Sequence, residues 1–363
     1  MAQSSPRILI IKLSSLGDLF HALPAVRNLK QELGATIDWV TQSAYVELVK
    51  CFPDVNRVIA FPRRDFLKQS PAFVRELRRE TYDLVLDFQG LLKSALVARL
   101  ARGAQTIGPS FAREGSRLLY SAVAGPRNKN RHAVDEILDV VRYLGREIHP
   151  PVFPVVFPNV PRTEPSPRIA FLPCSRWPTK NWPPERFIEV ARELRAQAKA
   201  TLFLVGAPDD VPVCARIADG MGDGVVNLCG KTSLVELGSL LQEMDLAITV
   251  DSGPMHMAAA AGTPVLAVFG ATDPKRTGPY GERHRVVVAE NLDCRPCFSG
   301  RCARKDLACL ARVSAEQVVA QAIFWFHPLV WWANSRIRQE REKCCDEIAI
   351  ARLGAQPKSY SRA

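Results

Sequence analysis

Runs of apolar residues alternate with amphipathic stretches along most of the chain. In the clearest case, residues 246–250 form a short apolar run, residues 255–261 are small and helix-prone, and residues 263–269 form a second apolar run. Short, almost continuously apolar segments that alternate with helical segments are typical of parallel sheets covered by helices. Residues 246–269 are therefore predicted to form a strand, a helix and a second strand.

The start of this helix is suited to binding phosphate. Asp251 or Ser252 can accept hydrogen bonds from the first N–H groups of the helix. Pro254 fits its first turn and Gly262 fits its C-cap. The helix would begin at the carboxyl end of a parallel strand, where its N–H groups and dipole attract an anion. An ordinary strand–helix–strand unit with a well-capped helix fits the same residues, so the motif alone leaves both interpretations open.

The same alternation occurs in two successive halves of the chain. Further strands are predicted at residues 7–13, 36–41, 57–61, 83–88 and 104–108, and then at 168–172, 200–205 and 225–228. Between the halves, residues 147–168 contain seven prolines, which is typical of an extended linker. We therefore predict an α/β protein with two facing Rossmann-like domains and a cleft between them. The predicted divisions are 1–150, a linker at 151–167, 168–322, and a short helical tail at 323–363.

Composition and missing motifs narrow the function. The formal net charge of +11 favours an acidic partner, such as nucleic acid, a phosphorylated small molecule or an anionic membrane surface. No zinc finger, RNA-binding signature or long basic tract is present, so we predict no nucleic-acid partner. No apolar run approaches the roughly 20 residues that cross a bilayer, and the first residues lack a secretory signal. We expect a cytoplasmic protein that touches a membrane surface. The chain also lacks GxGxxG after a strand, a true P-loop, HExxH and GxSxG.

Two groups of charged residues follow strands in the first half. Asp18 comes after the first predicted strand, in a loop where open α/β sheets keep their ligands. It is either a carboxylate that faces the cleft or a helix cap. Arg63, Arg64 and Lys68 lie on a later loop and helix start, where cations oppose the helix dipole. They indicate either an acidic ligand or a solvated face.

Five motifs in this order resemble glycosyltransferase family 9, the ADP-heptose:lipopolysaccharide heptosyltransferases. They are SSLGDLFHALPAV, LDFQGLLKSALVARL, SRWPTKNWP, GKTSLVELGSLL and VDSGPMHMAAAAGTPVLAVFGATDPKRTGPYG. The resemblance covers residues 7–320, and the first motif is more similar to the type I branch than to type II. It implies a GT-B fold with an N-terminal acceptor domain and a C-terminal nucleotide-sugar domain. It also implies inverting transfer of L-glycero-D-manno-heptose from its ADP donor to Kdo on lipid A, in lipopolysaccharide inner-core biosynthesis.

The resemblance also implies roles for individual residues. The implied donor-binding residues are Ser175, Arg176, Lys180, Asp251, Ser252, Gly253, Pro254 and His256. The implied acceptor-binding residues are Lys12, Ser15, Gly17, Arg63, Arg64, Lys68, Arg113 and Arg117, with the cations meeting Kdo and the lipid A phosphates. Lys12 and His21 would flank Asp18, the candidate catalytic base. His21 could equally be a partly buried helix residue that has no catalytic role.

Inverting transfer needs a base near the acceptor hydroxyl and positive charge beside the leaving diphosphate. Asp18 is the candidate base. Lys180, with the helix N-terminus after Asp251, is the candidate diphosphate clamp. Such a clamp replaces the metal ion that other transferases use, so we expect no required cofactor. The expected partners are ADP-heptose, the Kdo–lipid A acceptor and the cytoplasmic face of the inner membrane, where the enzyme would be peripheral.

Four clustered cysteines have a ligand count that fits structural zinc: Cys294, Cys297, Cys302 and Cys309. Free thiols in a loop fit the same pattern. The first residues lack the apolar stretch of a secretory signal, so we do not expect a disulfide framework.

The tail departs from the family. From about residue 324 the sequence resembles part of a BlaR1/MecR1-type M56 metallopeptidase, but the HExxH half of that zinc site is absent, so no peptidase activity is expected. The sequence of the tail predicts one or two amphipathic helices that carry three tryptophans. Two other functions stay open from the sequence. They are a GT-B enzyme that uses another nucleotide sugar, and a non-catalytic, membrane-associated binding protein.

Overall fold

Two parallel β-sheets frame the chain in the computed structural model, which describes residues 5–63, 66–161 and 163–326. The strands of the first sheet are β1 (Arg7–Ile11), β2 (Thr36–Gln42), β3 (Arg57–Phe61), β4 (Thr81–Asp87), β5 (Arg102–Pro109) and β6 (Ala122–Ala124). Its helices are α1 (Leu16–Leu33), α2 (Val46–Val49), α3 (Phe66–Leu77), α4 (Leu92–Leu100) and α5 (Ala133–Tyr143), with 3-10 turns at Ser43–Tyr45 and Ser116–Leu119.

The second sheet repeats this plan. Its strands are β7 (Arg168–Leu172), β8 (Thr201–Leu204), β9 (Val225–Asn227), β10 (Leu246–Val250), β11 (Val265–Phe269) and β12 (Arg285–Val288). Its helices are α6 (Pro184–Ala198), α7 (Val211–Met221), α8 (Leu234–Gln242), α9 (Gly253–Ala260), α10 (Pro274–Thr277), α11 (Ala308–Ala311) and α12 (Ala315–Phe326). Two further 3-10 turns lie at Pro178–Lys180 and Pro208–Asp210.

The two sheets have the same topology. The first has the order β3-β2-β1-β4-β5-β6 and the second β12-β11-β10-β7-β8-β9, with every pairing parallel. The chain reverses direction across the sheet between β1 and β4, and again between β7 and β10. Open α/β sheets bind ligands at the carboxyl ends of the strands beside such a switch point. The prediction of two Rossmann-like domains is confirmed. The expected ligand-binding edge lies at the carboxyl ends of β1 and β4 in the first domain and of β7 and β10 in the second.

Successive residues of an apolar strand pack against the helices on opposite faces of the sheet. In β1, Ile8 and Ile10 pack into one apolar cluster, whereas Leu9 and Ile11 pack into another on the opposite face of the sheet. The first cluster continues without a break into the second domain, where it includes Met255 of α9. The two domains therefore share apolar packing at their junction, which fixes their relative position.

The described residues differ from the sequence predictions at one helix start. α1 begins at Leu16, so Asp18 lies inside its first turn and not in the preceding loop. α9 begins at Gly253 with Pro254 in its first turn, as predicted. At the other end of the described chain, α12 continues to Phe326, past the tail boundary predicted at residue 323, and packs against α6. None of the helices in the described ranges is both long and apolar enough to cross a membrane.

Candidate active site

The N-termini of α1 and α9 meet at the junction of the two domains. A Cβ atom added to Gly17 would lie 2.5 Å from Cδ2 of His256, and one added to Gly253 would lie 2.8 Å from Cβ of Leu16. Real Cβ atoms do not approach other atoms so closely, so each helix needs glycine at this crossing. The contact brings the first turn of α1, with Asp18, up to the start of α9.

The N–H groups at the start of α9 have no side-chain cap. Ser252 stands at the N-cap position with extended backbone, but no side-chain capping hydrogen bond forms. The prediction that Asp251 or Ser252 caps this helix is wrong. Asp251 instead accepts hydrogen bonds from Lys180 and Thr272, and the Ser252 hydroxyl lies 3.5 Å from that of Thr249. The helix dipole is therefore directed at the junction, and the N-cap side chain does not occupy the first N–H groups of α9.

Lys180 lies beside this helix start, in the 3-10 turn that follows β7. Its Nζ is 2.7 Å from Oδ2 of Asp251 and 5.0 Å from the centre of the Trp177 ring. Its side chain keeps 19% of its surface exposed, so it can reach a ligand. Thr179 anchors the turn because its hydroxyl donates to the Ser299 carbonyl at 2.6 Å. The turn holds a cation next to the helix N-terminus, as a diphosphate clamp requires.

The other predicted donor residues follow the same two strands. The Ser175 N–H donates to Oδ1 of Asn181 at 2.7 Å, which fixes the loop after β7, and Arg176 is exposed on that loop. Gly253 and Pro254 form the first turn of α9, where Pro254 has no N–H to offer. His256 is different, because it is buried beneath the junction and contacts α1.

Asp18 occupies the third position of α1 and uses one oxygen to hold the helix start. Its Oδ2 accepts hydrogen bonds from the N–H and the hydroxyl of Ser15, both at 2.9 Å. Its Oδ1 lies 3.7 Å from Nδ1 of His21. The side chain remains 40% exposed. Both interpretations of Asp18 made from the sequence are therefore compatible, because the carboxylate supports the helix and still reaches the cleft.

The surroundings of Asp18 keep its carboxylate ionised. Burial acts to raise its pKa, but the charge of Lys12, the neighbouring His21 and the Ser15 N–H together lower the pKa far below its usual range. Lys12 itself is buried, with Nζ donating to the Phe88 carbonyl at 2.8 Å. Protonation in the ground state therefore does not compete with a role as proton acceptor.

A set of histidines links the domains behind Asp18. Nε2 of His21 and Nδ1 of His256 lie 3.1 Å apart, and the His21 ring also packs edge-on against His132. His132 accepts a hydrogen bond from the Val134 N–H through Nδ1, and its Nε2 lies 3.1 Å from the Gly278 carbonyl. Since a carbonyl only accepts, Nε2 carries the proton and the ring is neutral.

Burial lowers the pKa of two of these histidines. The pKa of His132 falls to about 4, with the charge of His21 acting in the same direction as burial. Burial, together with the charges of His21, His132 and Lys180, lowers the pKa of His256, whereas Asp18 opposes the shift. The charges of Asp18 and Lys180 thus both influence the pKa of the buried His256 ring, in opposite directions. His132 is not recognisable as a junction residue from the sequence, because its contact with Gly278 joins distant segments of the chain.

The loop after β4 supports the loop before α1. Gln89 Oε1 accepts hydrogen bonds from the Leu13 and Ser14 N–H groups, at 3.2 and 3.0 Å. Asp87, the last residue of β4, is buried. Burial raises its pKa, although the hydrogen bonds that it accepts from Tyr120 and from the Gln89 and Gly90 N–H groups act to lower it. Neither residue was selected from the sequence, although both lie in the DFQG motif.

The predicted acceptor cations lie at the same edge of the first sheet. Arg63 and Lys68 follow β3, Arg113 and Arg117 follow β5, and all four are exposed. Arg64 lies outside the described residues. The remaining predicted acceptor residues, Lys12, Ser15 and Gly17, surround Asp18. Because parallel strands end at one edge, these cations face the same side of the domain as Asp18.

The structure does not bring the four clustered cysteines together as a metal site. Cys294 and Cys297 are exposed, whereas Cys309 is buried in α11 against the domain core. Among the residues that the structure describes, no group of three or more His, Cys, Asp or Glu side chains can hold a metal ion. These four thiols form no disulfide within the described residues.

Two facing Rossmann-like domains with their sheet edges at a common junction form the architecture of the GT-B class of glycosyltransferases. A family model described as "Glycosyltransferase family 9 (heptosyltransferase)" matches residues 71–308, about two thirds of the chain. The chain therefore belongs to glycosyltransferase family 9, and it is a glycosyltransferase.

Its relatives agree with this assignment. The chain is 31% identical to lipopolysaccharide heptosyltransferase 1 of Escherichia coli K12 over 306 residues, covering 79% of this chain and 95% of the relative. It is 28% identical to lipopolysaccharide heptosyltransferase 1 of Pseudomonas aeruginosa over 345 residues, covering 87% and 96%. The structure of the E. coli heptosyltransferase WaaC with ADP superposes with a TM-score of 0.72 at 29% identity, covering 87% and 98%. The same enzyme with ADP-2-deoxy-2-fluoro heptose gives 0.70.

A second family model, "BlaR1 peptidase M56", matches residues 302–363. The resemblance of the tail is thus confirmed, although the match begins before the predicted boundary. Its first residues overlap the glycosyltransferase match, and Leu310, Val313 and Val318 from this stretch are buried in the core of the second domain. The part of the match up to Phe326 is therefore folded as part of the transferase, and the rest lies outside the described residues.

Proposed function

We propose that the protein transfers L-glycero-D-manno-heptose from ADP-heptose to Kdo on lipid A, with inversion, as a type I heptosyltransferase. The relatives named above are heptosyltransferases of this type, and the E. coli enzyme binds ADP and a fluorinated ADP-heptose. One observation carries the proposal: Asp18 on α1 meets, across the domain junction, the start of α9 with Lys180 beside it.

In the proposed reaction Asp18 accepts the proton of the Kdo hydroxyl. The oxygen forms a bond to the anomeric carbon as the bond from that carbon to the diphosphate breaks, and ADP leaves with its electron pair. A carboxylate with a lowered pKa is a weak base towards a free alcohol. The hydroxyl becomes strongly acidic once its oxygen bonds to the sugar, so transfer to Asp18 late in the step is favourable.

Lys180 and the first N–H groups of α9 stabilise the departing diphosphate in this proposal. The helix start is left without a side-chain cap, and Lys180 retains an exposed surface. Asp251 holds the lysine in place until the donor binds. These groups supply the positive charge that a metal ion supplies in other transferases. We therefore propose that no divalent metal is needed, and that a chelator such as EDTA leaves turnover unchanged.

The exposed cations of the first domain would bind the acceptor. Arg63, Lys68, Arg113 and Arg117, with Arg64, would face the Kdo carboxylate and the lipid A phosphates. Such an acceptor is held in a bilayer, so we place the enzyme at the cytoplasmic face of the inner membrane as a peripheral protein.

The experiment is to incubate the protein with ADP-heptose and Kdo₂–lipid A and to measure the product by mass spectrometry. The proposal predicts an added heptose on the lipid and an equal amount of ADP, with both lost in Asp18→Asn. No product with ADP-heptose, but product with another nucleotide sugar, would contradict the proposed donor. Product on another acceptor alone would contradict the proposed acceptor.

A further inference from the structure

The outward face of α4 carries three leucines that the described structure leaves nearly half exposed. Leu92, Leu96 and Leu100 are 42%, 49% and 40% exposed and recur every four residues along one side of the helix. The inward face is made of small and β-branched residues, such as Ala95 and Val97, which are buried. The helix packs through its small residues and presents its largest apolar side chains to the outside.

The neighbouring 3-10 turn extends this apolar surface. Leu118 is 90% exposed, and its turn, Ser116–Leu119, packs against α4. The Glu114 carboxylate just before the turn accepts a hydrogen bond from the Leu92 N–H at 3.2 Å, which ties the turn to the helix start. Four exposed leucines therefore lie on one connected surface, and we call Leu92, Leu96, Leu100 and Leu118 the leucine patch.

Cations surround the leucine patch. Lys93 and Arg99 lie on the same exposed face of α4, and Arg113 and Arg117 lie on the loop and turn beside it. Glu114 is the acidic side chain within this surface, and it is used to cap α4. The patch is thus apolar at its centre and positive at its rim, a combination that fits an anionic lipid surface.

The leucine patch adjoins the proposed acceptor site. α4 follows the loop in which Gln89 supports the Asp18 loop, and Nζ of Lys93 lies 5.9 Å from the Phe61 ring at the end of β3. The cations Arg63 and Lys68 come directly after that strand. A bilayer held against the patch would thus present lipid headgroups to the edge of the sheet that carries Asp18.

We propose that the leucine patch and its cations bind the surface of a bilayer that contains anionic lipid. The leucines enter the headgroup region, and Lys93, Arg99, Arg113 and Arg117 contact lipid phosphates. Charge complementarity favours this occupant over a second copy of the chain, because two such surfaces would set cations against cations. The inference deepens the proposed function, since it names the surface through which the enzyme reaches a membrane-bound acceptor.

The test measures binding of the full chain to vesicles. Vesicles of phosphatidylethanolamine with phosphatidylglycerol supply the anionic surface, and phosphatidylcholine vesicles supply the neutral one. Leu96→Glu and Leu118→Glu each place a carboxylate in the patch, and Val213→Glu is the control, because Val213 is 40% exposed on α7 of the other domain. We expect each leucine variant to lower partitioning onto anionic vesicles by about tenfold, and the control to leave it unchanged.

The cations are tested in the same way. Arg99→Glu should lower partitioning onto anionic vesicles by about tenfold, and the exposed Arg312→Glu of the second domain should have a much smaller effect. Native binding should weaken with added salt and on phosphatidylcholine. Equal binding by native protein and leucine variants would overturn the proposal.

Two further measurements distinguish membrane binding from self-association and from a loss of catalysis. Light scattering reports whether the native protein is a dimer that Leu96→Glu dissociates, which would assign the patch to a second copy and overturn the proposal. Turnover on a deacylated, water-soluble Kdo acceptor should be unchanged in Leu96→Glu, while turnover on Kdo₂–lipid A in vesicles should fall. Vesicle binding requires no transfer, so failure of the proposed reaction is recognised independently by the product assay.

Discussion

At the scale of single residues, Asp18 supports the start of a helix and is also the proposed base. One carboxylate oxygen accepts both hydrogen bonds from Ser15 and so supports the start of α1. The other faces His21 and the exposed side of the cleft. The cap holds the carboxylate in one orientation, and an oriented base needs no rearrangement at the moment of proton transfer.

Replacement of the Asp18 carboxylate separates its support of α1 from its proposed role as the base. Asp18→Asn keeps the size of the side chain and an oxygen that can accept from Ser15, but it removes the base. We expect turnover to fall by about 10²-fold or more with ADP affinity unchanged. Steady-state kinetics and calorimetry give the two values, and Asp223→Asn at an exposed position is the control. Near-normal turnover would remove Asp18 from the role.

Lys180 is tested by its effect on the nucleotide. Lys180→Ala removes the cation and leaves Asp251 as a buried carboxylate beside the diphosphate position. We expect ADP affinity to fall by about 10- to 100-fold, the value of a charge-assisted contact. Calorimetry with ADP measures the change, and Lys50→Ala, which breaks an exposed ion pair with Glu47, serves as the control. Equal affinity in native protein and Lys180→Ala would refute the clamp.

At the scale of elements, the crossing of α1 and α9 leaves no room for a side chain at two glycines. Gly17 and Gly253 each lie where an added methyl group would overlap the opposite helix. His256, which faces Gly17, is itself held by His21, so it cannot move aside freely. The distance between the base and the diphosphate clamp therefore depends on the absence of two side chains.

A single methyl group tests this crossing. Gly17→Ala should lower the free energy of unfolding by about 1–3 kcal/mol through overpacking, and it should lower turnover because the two helix starts separate. Denaturant unfolding and kinetics measure both effects. Gly300→Ala is the matched control, since its Cβ would meet Trp177 only at an ordinary 3.7 Å. Full activity in Gly17→Ala would show that the crossing accommodates a side chain.

The elements themselves could be predicted because their signals are local. β10, α9 and β11 follow from apolar runs and a small-residue helix, and Ser233 and Glu236 form the reciprocal capping box that Ser followed three residues later by Glu favours. α1 includes Asp18, which was predicted to lie in the preceding loop, because Asp18 at the third helical position accepts the Ser15 N–H and supports the helix start. The predicted cap of α9 is wrong because Asp251 is drawn to Lys180, a contact between distant segments.

Contacts between distant segments explain what else the sequence left out. His132 contacts the Gly278 carbonyl and Gln89 contacts the loop before α1, and both contacts join segments that are distant in the sequence. No local sequence motif therefore marks either residue. The cysteine spacing suggested a metal, but burial of Cys309 in α11 depends on the packing of the whole domain. Spacing along the chain records which residues are near in sequence, and it says little about burial.

At the scale of the whole molecule, neutral histidines at the junction couple domain contact to pH. The pKa of His132 is lowered to about 4, and the pKa of His256 is also lowered, both chiefly through burial. Unfolding or separation of the domains would return them to ordinary values near 6.5. Their contribution to stability is therefore complete above pH 6.5 and is lost as the pH falls from about 6.5 toward about 4.

Thermal unfolding against pH measures this coupling. The native protein should lose stability between about pH 6.5 and 4.5, and His132→Gln should show a shallower loss because it removes one of the shifted groups. His284→Gln is a comparison outside the junction, since burial lowers the pKa of His284 to about 4 as well. His284→Gln should also make the fall of Tm with decreasing pH shallower, and it should leave the pH dependence of turnover unchanged. An identical slope in native protein and His132→Gln would contradict the account.

The central claim is that the two domains place one carboxylate and one cationic helix start on either side of the reacting sugar. The most direct measurement is a crystal structure of the protein with ADP-2-deoxy-2-fluoro heptose. We expect the diphosphate within hydrogen-bonding distance, about 3 Å, of Lys180 and the first N–H groups of α9, with the anomeric carbon facing Asp18 across a gap for the acceptor hydroxyl. A diphosphate bound away from α9, or an anomeric carbon turned from Asp18, would contradict it.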